Sequence, residues 1–339
     1  MQATRRAALS TLAVVGAGLA TADCAAAADP PPGGRLESGA LATRLTPSPV
    51  KYTVLHPPGG APASGLPLLL LLHGGDGDNG FLARFKPTIE AAWAAGEIPP
   101  LVVVTPDAQR SLYLDYFDGS EKWETFIVSE LVPHLVGQFG LDAGPAKTVV
   151  SGVSMGGLGS LRLALKHPDV FGGVASLEAG IEPALRFADV KVRNAFQRGA
   201  GFLEARFGKP VNEAWWQANN PANIVIARRD ALAASGLQIY IEVGDADMFH
   251  LDEGVEFLHR VLWDHGLAHE YRQVHGADHL GRTLTGRLRD GLRFLDAHVL
   301  RPPPPDDSYR AGKAMVETLK RTAGVDDSQP RPPLPPTSS

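Results

Sequence analysis

The chain has 339 residues, of which 44% are hydrophobic and 20% charged, with a formal net charge of -5. This is the composition of an ordinary soluble globular protein. Its mild acidity gives no electrostatic reason to seek nucleic acid or anionic lipid, so neither is expected as a partner.

The N-terminus reads as an export signal. Arg5 and Arg6 precede an apolar run over residues 7–20, and small residues follow at 25–28. This charged, apolar and small-residue layout marks a secretory signal over residues 1–28. Residues 4–9 also resemble a twin-arginine signal, which exports folded proteins. The expected location is therefore periplasmic or secreted. Thr21-Ala22-Asp23 is a poor lipidation match ahead of Cys24, the only cysteine, so cleavage near Ala28 leaves a domain without disulfides. Residues 29–40, rich in Pro, Gly and Ala, read as a linker. No later run is long enough to span a bilayer, so stable membrane insertion is not expected.

Short apolar runs then alternate with longer amphipathic stretches. Residues 67–73, 101–105, 148–153, 173–177 and 237–243 are almost continuously apolar and read as strands, with a last strand at 270–275. Such runs imply burial on both faces of a parallel sheet. Helices are predicted over 87–95, 122–139, 156–166, 251–265 and 286–300, which makes the fold class α/β. Residues 180–235 fit the alternation poorly and suggest an excursion over one end of the sheet. Pro302 to Pro305 stop the last helix, and residues 301–339 read as a Pro-rich, disordered tail. The folded domain is expected over 41–300.

The most informative segment is Ser151-Gly152-Val153-Ser154-Met155-Gly156-Gly157, which joins a predicted strand to a predicted helix. Gly-x-Ser-x-Gly in this context predicts the α/β-hydrolase nucleophile turn. The glycines avoid clashes across a tight bend, Ser154 is lifted clear of the sheet, and the Met155 amide is aimed at the same point. No Lys-Ser/Thr pair follows, so a Walker loop is not supported. The run at 68–72 ends in His73-Gly74-Gly75, a turn that can supply a second oxyanion donor from the amide of Gly75, with Asp76 as the alternative. His73 reads as a structural residue orienting that turn. Asp76 to Asn79 mimic a calcium loop, but its twelfth position holds Pro87, which rules it out.

In this fold the acid and the base follow the Ser in that order. Asp245 and Asp247 both lie just after the run at 237–243, with Glu178 and Glu182 as earlier alternatives. His279 follows the last predicted strand, and His275 competes with it. Tyr113, Asp115, Tyr116, Glu178, Trp215 and Trp216 are placed either to line a pocket or to pack the core, and stay unassigned.

Taken together, these residues resemble the esterase family that includes esterase D (S-formylglutathione hydrolase), feruloyl and acetyl esterases and the mycolyltransferases. The likeness covers roughly residues 50–300. Besides the Ser154 segment it rests on Ser111-Leu112-Tyr113, on Trp123-Glu124 with Phe126, Ile127, Glu130, Leu131 and Pro133, and on Gly244-x-x-Asp247 and Gly276-Ala277-Asp278-His279. Phe207-Gly208 and Asn219-Asn220-Pro221 are similar less specifically. The resemblance implies a mostly parallel sheet with helices on both faces, a Ser154–Asp247–His279 triad and no cofactor. One departure is that Leu280-Gly281 follows His279 where the family often has an aromatic.

The expected function is hydrolysis of a small-molecule or carbohydrate-linked carboxylic ester through an acyl-enzyme on Ser154. The alternatives are acyl transfer to a sugar or other alcohol, peptide hydrolysis, and a non-catalytic carbohydrate-binding or adhesion protein on the same fold.

Overall fold

The computed structural model describes residues 33–60, 63–304 and 306–326. The expected signal segment at 1–28 lies outside the described residues, as do 327–339 of the expected tail. An eight-stranded sheet in the order β1-β2-β4-β3-β5-β6-β7-β8 organises the remainder. β1 (Arg35–Leu41) and β2 (Val50–His56) pair antiparallel, and β2 pairs antiparallel with β4 (Val102–Pro106). From β4 onward, through β3 (Leu68–Leu72), β5 (Thr148–Val153), β6 (Gly173–Leu177), β7 (Gln238–Gly244) and β8 (Glu270–Val274), every pairing is parallel.

The continuous apolar runs follow from burial on two faces. Leu68, Leu70 and Leu72 of β3 belong to one core, and Leu69 and Leu71 belong to the other. The first core is covered by α2 (Trp123–Phe126), the π-helical turn Ile127–Leu131 that continues it, α3 (Val132–Phe139) and α4 (Met155–Lys166). The second is closed by α1 (Phe81–Ala94). Helix α1 starts earlier than the predicted 87–95, because Leu82 and Phe85 already face the core. Pro87 sits within it, where its missing N–H falls in the second turn.

Residues 180–235 form the excursion that the sequence suggests. They hold α5 (Val192–Ala195), α6 (Ala200–Phe207), α7 (Glu213–Asn219) and α8 (Pro221–Ser235). Asn220 explains the Asn-Pro motif: its side chain accepts the Ala222 N–H at 3.0 Å as the cap of α8, and Pro221 fills the first helical position. Next come α9 (Leu251–Asp264), over the first core with α8, and α10 (Leu284–Leu295), over the second with α1.

Two expected boundaries are corrected. The linker does not run to residue 40, because Arg35–Leu41 is a paired strand. β1 is an edge strand that is mostly exposed, so its polar residues look like linker, and its register comes from β2. Within the tail expected to be disordered at 301–339, α11 (Asp307–Ala323) is a capped helix: Asp306 accepts the N–H groups of Ser308 and Tyr309, and Gly324 closes it in the left-handed region. It carries no buried residue, so local capping and propensity rather than packing account for it. Among the described residues, no helix is long and apolar enough to cross a membrane.

Buried Arg162 of α4 ties the excursion to the sheet. Its Nε donates to the Asn219 carbonyl at 2.9 Å, and its Nη1 donates to the Leu112 carbonyl. Replacing Arg162 with Leu strands both carbonyls and is expected to destabilise the fold by about 3 kcal/mol. Urea denaturation measures this, and a loss under about 1 kcal/mol would show that the carbonyls find other partners.

Candidate active site

The parallel strands end together on one edge of the sheet. The chain runs from β3 to β4 on one side and then from β4 back across β3 to β5 on the other, and the helices after β3 and β5 cover opposite faces, so the connections after β3 and β5 diverge and leave a crevice. The register pairs Leu72 with Gly152, which brings the turns at 73–75 and 153–156 side by side.

Ser154 occupies the bend with φ 61° and ψ -116°, a left-handed conformation that costs a non-glycine residue energy. The bend is held from both sides: Ser154 N–H donates to the Leu177 carbonyl at 2.9 Å, and its carbonyl accepts from Leu158 N–H at 3.0 Å. The glycines are required by close approach. A Cβ on Gly152 would lie 2.3 Å from the Gly156 carbonyl oxygen, and one on Gly156 would lie 2.2 Å from that of Leu72. Both obstacles are backbone and cannot swing aside.

Next to it, a Cβ on Gly74 would sit 3.6 Å from the Ser154 Cβ. Gly75 and Met155 line the same cavity as Ser154, of about 310 Å³. His73 is fully buried; Nδ1 donates to the Gly74 carbonyl at 2.7 Å and Nε2 accepts from Ala108 N–H at 3.0 Å. With both ring nitrogens engaged, and burial holding its pKa below the ordinary range, this imidazole braces the turn. The Tyr113 hydroxyl, in turn, donates to the His73 carbonyl at 3.0 Å.

The two loops after β7 and β8 are joined by Ala246 N–H donating to the Ala277 carbonyl at 3.0 Å. They bring together Asp247 and His279, both buried, with His279 Nδ1 donating to Asp247 Oδ2 at 2.7 Å. Asp247 Oδ1 accepts the Phe249 N–H at 2.6 Å. Burial raises the Asp247 pKa, but hydrogen bonds from the His279 imidazole and the Phe249 N–H are among the effects that outweigh it and hold the carboxyl below its usual range. His279 also lines the cavity that holds Ser154. The competing residues pair with each other elsewhere: His275 Nδ1 meets Asp245 Oδ2 at 2.8 Å, with the imidazole almost fully exposed. Glu182 is engaged by Arg198. Glu178 is buried beside Asp247, against Arg287 and Glu242.

The ligand-type atoms of Glu178, Asp247 and His279 all lie within 4.8 Å of one another. A cation already sits against this group, because Arg287 Nη1 contacts Glu178. A hydrogen-bonded relay suits that arrangement better than a metal centre.

Tyr113, Tyr116 and Trp216 are core residues, Asp115 binds Thr125, and Trp215 packs its ring edge-on against Phe117; none of them lines the cavity. Its walls come instead from Arg84, Arg110, Phe202, Phe249 and Leu280, along with the turns already described. Sequence reasoning missed these residues apart from Leu280, since they arrive from a helix flank, loops and the excursion, where no spacing rule points at a cavity. The Trp123-Glu124 motif is scaffold: Glu124 binds Lys166 at 2.7 Å and His167 at 2.9 Å at the end of α4.

A mostly parallel eight-stranded sheet in this order, with a serine on a strained turn after β5, defines the α/β-hydrolase fold. The family described as "Putative esterase" matches residues 43–281, and the chain belongs to that family. Ag85A of Mycobacterium leprae (strain TN), named as a diacylglycerol acyltransferase/mycolyltransferase, is 29% identical over 152 residues, 42% of this chain and 44% of that protein. Esterase Rv1288 of Mycobacterium tuberculosis (strain ATCC 25618 / H37Rv) is 33% identical over 175 residues, 49% of this chain and 36% of that protein. The matched stretch thus spans less than half the length of these curated relatives. Among solved structures, a ferulic acid esterase superposes with a TM-score of 0.63 at 23% identity, covering 79% of this chain and 99% of the other. An S-formylglutathione hydrolase from Agrobacterium tumefaciens gives 0.62 at 20%, covering 79% and 96%. These two likenesses concern the fold.

Gly156→Ala tests the close approach. It is expected to cost about 3 kcal/mol or more, because only backbone movement relieves the overlap. A variant with wild-type stability in chemical denaturation would show that the two turns are not pressed together.

Proposed function

We propose that the chain hydrolyses small-molecule carboxylic esters by two-step acyl transfer through Ser154. The observation that carries this reading is the buried Asp247–His279 hydrogen bond, at a cavity shared with a serine on a strained turn. His279 Nε2 takes the Ser154 proton as the hydroxyl oxygen attacks the ester carbonyl. Asp247, bonded to Nδ1, fixes the tautomer that leaves Nε2 free and stabilises the imidazolium that forms. The backbone N–H groups of Met155 and Gly75 stabilise the oxyanion, aided by the start of α4. His279 then gives its proton to the leaving alcohol. Water attacks the acyl-enzyme with His279 again as base, and the acid leaves as Ser154 recovers its proton.

The likeness to Ag85A favours a second reading, in which an alcohol, such as a sugar hydroxyl, replaces water in the last step. Product analysis with and without sugar acceptors separates the two: free acid alone supports hydrolysis, and a new ester supports transfer. The apolar walls from Phe202, Phe249 and Leu280 suit an aromatic or aliphatic group on the ester. The arginine pair and apolar run near the N-terminus support export, and hence an ester met outside the cytoplasm.

Ser154→Ala is expected to abolish ester turnover and fluorophosphonate labelling while leaving the fold intact. Asp247→Asn is expected to lower kcat about 10³- to 10⁴-fold by favouring the wrong imidazole tautomer. Asp245→Asn and His275→Ala should stay within about 3-fold of wild type. Turnover surviving in the Ser154 variant, or lost with Asp245 and His275 but kept in Asp247→Asn, overturns the assignment.

A further inference from the structure

We infer that Glu178 carries a proton at neutral pH and donates it in a hydrogen bond to Asp247, acting as a positioning residue for the Asp247–His279 pair. This rests on the role proposed above for that pair.

Glu178 is the first residue after β6 and has φ 49°, an uncommon conformation for a side chain of this size. It is held there by its N–H, which donates to the Glu242 carbonyl at 3.0 Å. The side chain is wholly buried. Its Oε1 accepts the Gly244 N–H at 3.0 Å and also the Arg287 guanidinium. Its Oε2 is buried and meets no donor. A carboxyl oxygen of Glu178 lies within 4.8 Å of one of Asp247, whose own oxygens already accept from His279 and from the Phe249 amide.

Two facts then need one explanation. A buried acceptor without a donor is unfavourable, and two neighbouring buried carboxyls strongly disfavour both being ionised. A single proton on Glu178 Oε2 removes both difficulties by turning that oxygen into a donor toward Asp247. The proton belongs on Glu178, because donors cover both oxygens of Asp247, whereas both donors to Glu178 fall on Oε1 and leave Oε2 bare.

The charged surroundings agree. β7 contributes Glu242 and the loop after it Asp247. The loop after β8 contributes Asp278 and His279. α10 contributes Arg287, which also reaches both Glu242 oxygens, at 3.2 and 3.3 Å, and donates to the Asp278 carbonyl at 2.9 Å. Asp290 of α10 and Arg272 of β8 act on Glu242. One guanidinium thus faces two buried glutamates and cannot fully compensate both. Burial first, then the contact with Asp247, pushes Glu178 up to about 9 against the opposing pull of Arg287.

Glu178→Gln preserves shape and donor, since the amide nitrogen can face Asp247 while the amide oxygen keeps Gly244 and Arg287. At neutral pH this variant should retain kcat/KM on p-nitrophenyl acetate within about 3-fold of wild type, whereas Glu178→Ala should fall on the order of 10- to 100-fold, mainly in kcat. Wild-type activity should decline as pH rises through about 9, and the Gln variant should lack that step. Linkage gives a second readout. Native Glu178 keeps its proton up to about 9, while the unfolded chain releases it near 4.5. Its contribution to stability is therefore fully present below the unfolded value and is lost as pH rises through the folded one, a dependence that Gln removes.

The deciding measurement is infrared difference spectroscopy between about pH 7 and about pH 10, which needs no turnover. A protonated carboxyl band that disappears at high pH in wild type, and is absent from Glu178→Gln, supports the inference even if ester turnover is never found. Identical spectra and identical alkaline limbs in the two proteins overturn it, whatever the fate of the Ser154 reading.

Discussion

The arrangement of the site depends on backbone-to-backbone contact at the ends of β3 and β5. The Gly156 Cα presses on the Leu72 carbonyl so closely that no side chain fits between them. That contact holds the turn after β5 against the turn after β3, and Ser154 is left with a left-handed backbone. Local propensity does not favour such a conformation. It persists because it is over-determined: hydrogen bonds to Leu177 and Leu158, the two glycines and the start of α4 all constrain one residue. The same contact places Gly75 and Met155 at the cavity of Ser154, so the proposed nucleophile and the residues proposed to stabilise the oxyanion share a single structural cause.

Electrostatics impose a second constraint on the far side of the cavity. Asp247, Glu178, Glu242 and Arg287 are all buried within one cluster, which no apolar core tolerates unless every charge has a partner. Backbone amides of Gly244 and Phe249 and the Arg287 guanidinium supply part of that compensation, and Glu178 Oε2 is left without a donor. The cluster lies where β6, β7 and the loop after β8 meet, so it fixes the relative positions of three elements far apart in sequence. The bond from His279 to Asp247 is one edge of this cluster and inherits its rigidity.

The parts of the molecule that were legible in the sequence are those with a local physical signature. Buried parallel strands betray themselves by continuous apolar runs, and the two-sided core confirms why Leu68 to Leu72 lack alternation. Gly152 marks the Ser154 turn because the clash it avoids, with Gly156, lies within five residues of chain, whereas the clash Gly156 avoids is with Leu72 on another strand. Edge strand β1 was not legible, since its polar face looks like linker and its pairing is with residues 50–56. The walls of the cavity were hidden for a related reason. Arg84, Arg110 and Phe202 converge only through tertiary packing, and none carries a motif. Aromatic residues that looked suited to a pocket, such as Tyr113 and Trp216, prove to be core, because a large ring after a strand is as easily buried beneath the turn as displayed above it.

This division between legible centre and hidden wall bears on how one fold serves different esters. Of the residues proposed for the chemistry, Ser154 directly follows β5, and Asp247 and His279 lie in the loops after β7 and β8. The walls stand on α1, on the loops after β4, β7 and β8 and on α6, which can change without altering any strand register. In the proposed mechanism water and an alcohol would need the same base in the second step. Phe249 packs edge-on to His279, with ring centres 4.8 Å apart, and half-exposed Leu280 lies beside it on the cavity wall. These two walls therefore flank the imidazole that either proposed nucleophile, water or an alcohol, would use as its base.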